Sequence, residues 1–188
     1  MSFIEAVDPA TARGELADTY DRISKARGGV AELMRVHSLN PTAMAAQFEL
    51  YATLMFGNSE LDRRTREMIG VVVSAANRCG YGVAHHTTAL RGLQAPADLV
   101  DSLAAGELPD AYVSEAVTEL LAFARELTLR PQPDAARIER LRELGWSDGS
   151  ILDAVLVAAY FNNINRVVAG LGVSLEPEFE QTCGPELG

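Results

Sequence analysis

The stretch "EMIGVVVSAANRCGYGVAHH", residues 67 to 86, decides how this chain folds. In one unbroken helix, Glu67 and Cys79 would lie about 18 Å apart along the axis and point about 120° apart. A reversal at residues 77–80 would instead lay a second helix back along the first. We expect Gly80 and Gly82 to permit that reversal, because glycine accepts strained backbone angles. The sequence therefore predicts a helical hairpin.

This hairpin gathers three side chains with complementary chemistry. His86 lies roughly two turns into the second helix and Glu67 about three turns back on the first, so the imidazole and the carboxylate can face each other. Cys79 lies at the start of the second helix, where free amides and the helix dipole lower a thiol pKa. Cys79 is then a candidate nucleophile, His86 a proton shuttle, and Glu67 the group that orients the imidazole.

The rest of the chain also predicts helices, because Ala, Leu, Glu and Arg are abundant and alternating strand patterns are nearly absent. No repeat, low-complexity tract or convincing linker divides the sequence, so we expect one all-α domain over residues 1–188. Caps at Asn40 and Ser147, and the Asn58–Ser59 pair before the helix near residue 60, support the predicted bounds. The predicted helices lie near residues 9–26, 30–38, 42–56, 60–77, 80–91, 96–105, 112–129, 134–144 and 148–170.

The 188 residues carry a formal net charge of −10, with 48% hydrophobic and 22% charged residues. Phosphates repel so acidic a chain, so neither nucleic acid nor an anionic membrane is an expected partner. The start "MSFIEAVDP" lacks the basic and apolar regions of a signal peptide. The longest apolar run, residues 154–161, is too short to span a bilayer. Since only two cysteines are present, which fits a reducing compartment, we expect a cytoplasmic protein.

Two predicted helices lack a polar face. The run "MIGVVVSAA" in helix 60–77 and the run "ILDAVLVAAYF" in helix 148–170 are apolar most of the way round. A helix that is apolar on all sides has to be enclosed by its own fold or by another subunit. We therefore expect a homo-oligomer.

The segment from Glu67 to His86 resembles the alkylhydroperoxidase D-like family, within the carboxymuconolactone decarboxylase superfamily. That family's pattern is a glutamate, twelve residues to C-x-x-C, then three residues to a histidine, and Glu67, Cys79 and His86 fall on it. The lead-in "RTRE", residues 64 to 67, fits as well. The segment "YFNNINRVVAGLGVSLEPE", residues 160 to 178, is similar to the branch of uncharacterised peroxidase-related proteins.

The resemblance implies an alkylhydroperoxidase D-like helical bundle that assembles as trimers or hexamers. It implies reduction of small hydroperoxides by a redox dithiol. For this chain we expect a peroxidase-related enzyme with Cys79 as nucleophile, His86 as proton shuttle and Glu67 as orienting base, and with electrons from an external thiol. The sequence departs from the pattern at the second cysteine, which is Gly82 here. A one-cysteine cycle needs an external thiol, or Cys183, as the resolving partner.

Two other functions stay open for the same fold. The superfamily includes lactone decarboxylases that need no thiol pair, so Glu67 and His86 would serve as acid–base groups on a small carboxylated substrate. Alternatively, the protein is a non-catalytic oligomeric binding protein with a decayed site. Gly82 favours these two functions, whereas the presence of Cys79 beside Glu67 and His86 favours the peroxidase.

A metal site is not expected, although Cys79, His85, His86 and Glu67 include zinc ligand types. Adjacent histidines do not share a helical face, so we also expect His85 to face away from His86. His37 is expected to be a packing or surface residue. No Gly-rich phosphate loop follows a strand, so no organic cofactor is expected.

Two further groups of side chains have both a structural and a functional interpretation. The aromatic group forms a substrate pocket or, as we favour, part of the core. It comprises Tyr81, Trp146, Tyr160 and Phe161. The polar group contacts a ligand or, as we favour, fixes the last helix to a neighbour. It comprises Asn162, Asn163, Asn165 and Arg166.

Overall fold

The computed structural model describes residues 2–130, 132–176 and 179, and the regular secondary structure in these ranges is helical throughout. The all-α prediction is therefore confirmed. The elements in chain order are α1 (Glu15–Arg27), α2 (Glu32–Val36), a 3₁₀ turn (His37–Leu39), α3 (Pro41–Phe56), α4 (Arg63–Ala76), α5 (Gly80–Gly92), α6 (Ala97–Ala104), α7 (Glu115–Leu129), α8 (Ala135–Glu143) and α9 (Asp148–Leu171).

The predicted first helix begins too early. The carboxylate of Asp8 accepts a hydrogen bond from the amide of Ala10 at 2.8 Å, and its carbonyl accepts from the amide of Thr11 at 2.9 Å. Gly14 then adopts a left-handed φ of 57° directly before α1. This turn chemistry competes with helical hydrogen bonds, so residues 9–14 lie outside the helix.

The start of α4 also differs from the prediction. Asp62 caps this helix, because its carboxylate accepts a hydrogen bond from the amide of Thr65 at 2.6 Å. The predicted start near residue 60 is therefore too early, although the Asn58–Ser59 pair does precede the helix. Asn40 and Ser147 are confirmed as caps of α3 and α9.

The predicted reversal between α4 and α5 is confirmed, but glycine does not make it. Arg78 is the left-handed residue, with φ of 55°, while Gly80 and Gly82 lie within the first turn of α5. The amide of Cys79 donates to the carbonyl of Ser74 at 2.9 Å, and the amide of Arg78 donates to that of Ala75 at 2.9 Å. This pattern is a Schellman motif, which satisfies carbonyls at the end of α4 and turns the chain back.

Helix α4 is the centre of the bundle. Its residues 65–74 are all buried, since α5, α6, α7 and α9 pack around it. A single chain therefore encloses the apolar surface that led us to expect a second subunit. On α9, by contrast, Leu152 and Leu156 are 56% and 41% exposed. The homo-oligomer stays a prediction.

Of the helices in the described ranges, α9 alone is long and apolar enough to cross a membrane. Its most apolar window has a mean hydropathy of 1.2, and 44% of that window is buried inside the bundle. The helix packs against α3, α4 and α7. This is the environment of a core helix.

Two clusters of buried apolar side chains form the core. The larger one surrounds α4 and includes residues of α5, α6, α7 and α9. The smaller one joins α1, α2 and α3 through Tyr20, Ile23, Met34 and Phe48. Tyr51 on α3 packs against both clusters. The cavity described below lies where the two clusters meet.

The Arg78→Gly variant should be more stable than the wild type by about 0.5–1 kcal/mol. A left-handed conformation costs a non-glycine residue about 1–2 kcal/mol, and the greater freedom of glycine in the unfolded chain offsets part of this gain. Urea unfolding at constant m-value measures the change. The control Ala75→Gly, at a helical position of α4, should lose about 1 kcal/mol. A loss of stability in Arg78→Gly would contradict the assigned turn.

Candidate active site

A cavity of about 180 Å³ lies between the α1–α3 layer and helices α5 and α9. Its wall is mostly apolar, with Arg27 and Arg63 supplying positive charge and Glu67 and Glu176 negative charge. The aromatic residues of the wall are Phe48, Tyr51, Tyr81, Tyr160 and Phe161. A small, mainly apolar molecule with one charged or polar end matches these walls.

A buried glutamate–histidine pair forms one side of the cavity. His86 Nδ1 lies 2.5 Å from Glu67 Oε2, and Glu67 is only 1% exposed. The second carboxylate oxygen, Oε1, accepts a hydrogen bond from Arg63 Nε at 2.8 Å. Burial by itself raises the pKa of Glu67, but interactions with His86 and Arg63 outweigh burial and lower the pKa. The carboxylate is therefore held in its ionised form.

The position of the His86 ring depends on Gly70. A Cβ atom at residue 70 would lie 2.7 Å from Nδ1 and 2.8 Å from Cε1, so only glycine lets the ring lie flat against α4. On its other side the ring contacts Phe161, with centroids 4.2 Å apart and an interplanar angle of 75°. Among the described residues, His86 Nε2 has no hydrogen-bond partner. The nitrogen that can exchange protons is therefore left for a molecule in the cavity.

Cys79 does not line this cavity and is 7% exposed within the larger core cluster. Burial raises the pKa of its thiol by more than the backbone amides of Gly82 and Tyr81 lower it. The prediction of a lowered thiol pKa at the helix N-terminus is therefore wrong, because desolvation exceeds the effect of the helix end. The structure brings Glu67 and His86 together in the cavity wall without Cys79.

Gly82, at the position of the second motif cysteine, does line the cavity. A Cβ atom there would lie 2.4 Å from Ser74 Oγ and 2.9 Å from Asn165 Oδ1. Both neighbours are buried. The space that a side chain at residue 82 would need is therefore occupied by a hydroxyl and an amide.

A second histidine–glutamate pair, which the sequence analysis missed, lies in the same cavity. His85 Nε2 is 3.4 Å from Glu176 Oε2, and its ring stacks near Tyr81 and Phe179 with centroids 4.3 and 4.6 Å away. Burial lowers the pKa of His85 more than Glu176 raises it. The expectation that His85 faces away is wrong, because both imidazoles line the same cavity. No sequence pattern links Glu176 to this helix.

Glu176 joins the segment after α9 to the opposite side of the cavity. Its Oε1 accepts hydrogen bonds from the amide of Glu32 at 2.7 Å and from the hydroxyl of Tyr81 at 2.9 Å. Burial raises the pKa of Glu176, but the hydrogen bonds from His85 and the backbone outweigh it and lower the pKa to about 2. The ionised carboxylate thus connects α2, α5 and the chain beyond α9.

The aromatic residues that the sequence singled out divide into two groups. Tyr81, Tyr160 and Phe161 are buried and also line the cavity, so both interpretations apply to them. Trp146 packs on the larger core cluster instead, and its Nε1 donates a hydrogen bond to the carbonyl of Ala116 at 2.9 Å.

The polar residues that the sequence singled out on α9 have different environments. Asn162 donates to Thr128 Oγ1 at 3.0 Å and accepts from Asn77 at 2.9 Å, which confirms that it fixes α9 to its neighbours. Arg166 donates to the side chain of Asn77 at 3.4 Å, whereas Asn163 is exposed. Asn165 is buried in the cavity wall.

The remaining predictions concern His37, a metal site and Cys183. His37 Nδ1 lies 2.8 Å from the carbonyl of Leu33, as expected of a packing residue. Within residues 2–130, 132–176 and 179, no three His, Cys, Asp or Glu side chains are grouped so that they could hold a metal ion. Cys183, the proposed alternative resolving thiol, lies outside the described residues.

These features define an all-helical protein with a buried glutamate–histidine pair in the wall of a small cavity. The sequence model of the carboxymuconolactone decarboxylase family matches residues 41–126, which include both members of the pair. No curated protein sequence matches the chain. The family match and the solved structures described next support the resemblance to the superfamily of carboxymuconolactone decarboxylases and alkylhydroperoxidase D-like proteins.

Solved structures share the fold over nearly the whole chain. An uncharacterised peroxidase-related protein from Silicibacter sp. TM1040 is 28% identical, with a TM-score of 0.82 over 95% of each chain. The alkylhydroperoxidase AhpD core from Ralstonia eutropha JMP134, also an uncharacterised peroxidase-related protein, is 26% identical, with a TM-score of 0.85 over 97% of this chain and 96% of that one. A variant of the debrominase Bmp8 in complex with 2,3,4-tribromopyrrole shares the fold at 16% identity, with a TM-score of 0.79 over 97% of each chain.

The Gly82→Ala variant should lose about 1–3 kcal/mol of stability, because the added methyl overlaps Ser74 and Asn165. The double variant Ser74→Gly/Gly82→Ala should recover part of that loss in urea unfolding. The matched control is Gly80→Ala, whose Cβ atom would meet nothing within 4 Å. If Gly82→Ala is as stable as this control, the space at residue 82 is not filled as described.

The Glu176→Gln variant should be less stable than the wild type at neutral pH, by a margin that shrinks as the pH falls. Because the pKa of Glu176 in the folded protein, about 2, lies below its ordinary value of 4.5, the ionised carboxylate stabilises the fold above 4.5. That contribution is lost as the pH falls towards 2. Thermal unfolding between about pH 7 and about pH 3 tests this, with the exposed control Glu107→Gln. A margin that is constant with pH contradicts the assignment.

Proposed function

We propose that the protein is an acid–base enzyme that acts on a small carboxylated substrate, with His86 transferring the proton and Glu67 orienting its imidazole. The observation that supports this most directly is the 2.5 Å contact between His86 Nδ1 and Glu67 Oε2 in the cavity wall. A base oriented in this way by a carboxylate is the arrangement that general acid–base catalysis requires.

The pair fixes the tautomer of the imidazole. An ionised carboxylate only accepts hydrogen bonds, so Nδ1 carries the proton that it shares with Glu67. Nε2 then presents its lone pair to the cavity and acts as a base. Once Nε2 has taken a proton, the neighbouring carboxylate stabilises the imidazolium, and the same nitrogen returns the proton as an acid.

The cavity supports a small anionic substrate. Arg27 lies in the mostly apolar wall, where its guanidinium can pair with a carboxylate of the substrate, while Arg63 already binds the carboxylate of Glu67. In decarboxylation, the bond to the carboxylate carbon breaks, carbon dioxide leaves, and the electron pair stays on the substrate. The substrate carbon that carried the carboxylate then takes a proton, which His86 acquires from solvent at Nε2 and delivers. The family that matches residues 41–126 carries this reaction in its name.

Thiol-dependent reduction of hydroperoxides is the second candidate. Two similar structures are of proteins named peroxidase-related, and Cys79 stands at the first thiol position. Three features favour proton transfer over it: the raised pKa of Cys79, the absence of that side chain from the cavity wall, and the filled space beside Gly82. A non-catalytic binding protein would use the same cavity without turnover.

The central experiment compares His86→Gln, Glu67→Gln and Cys79→Ala with the wild type. The substrate is a carboxylated lactone, and release of carbon dioxide is followed. We expect kcat to fall about 10²–10⁴-fold in His86→Gln, because the proton-transferring group is lost. Cys79→Ala should stay within about twofold of the wild type.

A parallel assay separates the alternatives. Cumene hydroperoxide is supplied with dithiothreitol, and loss of the peroxide is measured for the same variants. Peroxide turnover that disappears in Cys79→Ala, without decarboxylation by the wild type, would replace the acid–base proposal by the thiol enzyme. No turnover in either assay, despite binding of a small carboxylate, would favour the binding protein.

A further inference from the structure

We infer that Asn165 is the hydrogen-bonding group that orients the substrate beside His86, and that it recognises a carbonyl oxygen on a small oxo-acid. The inference rests on the proposed acid–base function and narrows its substrate class. It assigns a positioning and specificity role to a residue on α9, opposite the helix that carries the histidine.

Asn165 is a buried amide with too few partners. It is 3% exposed and lines the cavity. Its hydrogen-bond partner among the described residues is the hydroxyl of Ser74, whose Oγ lies 3.3 Å from Nδ2 and 3.4 Å from Oδ1. One hydroxyl cannot satisfy an amide that offers two donors and two lone pairs. Since buried polar groups are normally hydrogen-bonded, the remaining capacity of Asn165 is available to a molecule in the cavity.

The amide can approach α5 because residue 82 has no side chain. A Cβ atom on Gly82 would come within 2.9 Å of Asn165 Oδ1 and closer still to Ser74 Oγ. The glycine that removes the second thiol of the motif therefore makes room for a hydrogen-bonding group at the same wall. A polar recognition group lies where the resemblance places a redox group.

The amide and the imidazole lie at neighbouring levels of the same helix pair. On α5, Gly82 and His86 are one turn apart, and on α9, Phe161 and Asn165 are one turn apart. The ring of Phe161 contacts His86, while Asn165 faces Gly82. One helical turn is about 5–6 Å, so the two residues lie about one turn apart along the cavity wall, a separation comparable to the length of a small ring-bearing acid.

The chemistry of an amide defines what it recognises. The Nδ2 group donates a hydrogen bond to a neutral oxygen, such as a ketone, without adding charge to the cavity. When the bond to a carboxylate breaks, the electron pair moves towards that carbonyl, and the donor stabilises the charge that develops on its oxygen. Carbon dioxide leaves, and the imidazolium of His86, which has taken a proton from solvent at Nε2, delivers that proton to the carbon that carried the carboxylate. The balance needs no oxidant, reductant or cofactor.

Calorimetric titration with a pair of matched ligands tests the inference. The ligands are 4-oxocyclohexanecarboxylate and cyclohexanecarboxylate, which share ring size and charge and differ by one carbonyl. We expect the wild type to bind the oxo-acid about tenfold more tightly, which is the value of one good hydrogen bond. In Asn165→Leu the preference should fall to within about twofold. The exposed residue of the same helix provides the control Asn163→Leu, which should keep the wild-type preference.

Further variants keep the test decisive. Asn165→Asp has the same shape, so it serves if Asn165→Leu does not fold, and its negative charge should weaken binding of both ligands. His86→Gln should retain the preference for the oxo-acid while losing turnover of the carboxylated lactone. This combination separates orientation of the substrate from proton transfer.

Two outcomes would overturn the assignment of Asn165. One is a wild-type preference that persists in Asn165→Leu, and the other is no measurable binding of either ligand to the wild type. Suppose that Asn165→Leu keeps the preference for the oxo-acid while His86→Gln abolishes turnover of the carboxylated lactone. The role of Asn165 is then disproved, and the acid–base function stands. Suppose instead that Asn165→Leu loses the preference while His86→Gln still turns over the carboxylated lactone. The acid–base function is then disproved, and the amide of Asn165 remains a binding group.

Discussion

The buried contact between Glu67 and His86 is the constraint on which the rest of the site depends. A carboxylate that is 1% exposed would destabilise the fold by several kcal/mol without partners, about the cost of removing one member of a buried ion pair. His86 and Arg63 both bind it, so helices α4 and α5 have to meet at this register. The packing of the whole bundle around α4 therefore holds the imidazole of His86 at the edge of a cavity.

Two glycines on facing helices make this geometry possible. Gly70 lets the His86 ring lie against α4, and Gly82 lets side chains of α4 and α9 approach α5. Neither position uses the conformational freedom of glycine, since the left-handed residue of the turn is Arg78. Both use its lack of a side chain. The same choice at residue 82 removes a thiol from the family pattern and opens space for the amide of Asn165.

Cys79 shows how burial competes with a helix end. The amides at the start of α5 favour a thiolate, yet desolvation within the core has the larger effect on the thiol pKa. The cavity wall instead holds two imidazole–carboxylate pairs, whose imidazoles belong to the adjacent residues His85 and His86 of α5. One pair lies within the helical hairpin, and the other ties in the segment beyond α9. The imidazole–carboxylate pairs lie in the cavity wall and the sulfur does not, which is why we propose acid–base chemistry rather than thiol chemistry.

The sequence by itself determined the helices, the α4–α5 hairpin and the meeting of Glu67 with His86. These features depend on local periodicity, caps and one short turn. Glu67 and His86 are 19 residues apart, so a short turn between two antiparallel helices is enough to bring their side chains together. Only the tertiary structure decided the burial of Cys79, the contact of His85 with Glu176, and the place of Asn165 beside Ser74, 91 residues away. Such contacts depend on how remote segments pack, and burial depends on everything that surrounds a side chain, so neither can be derived from local sequence.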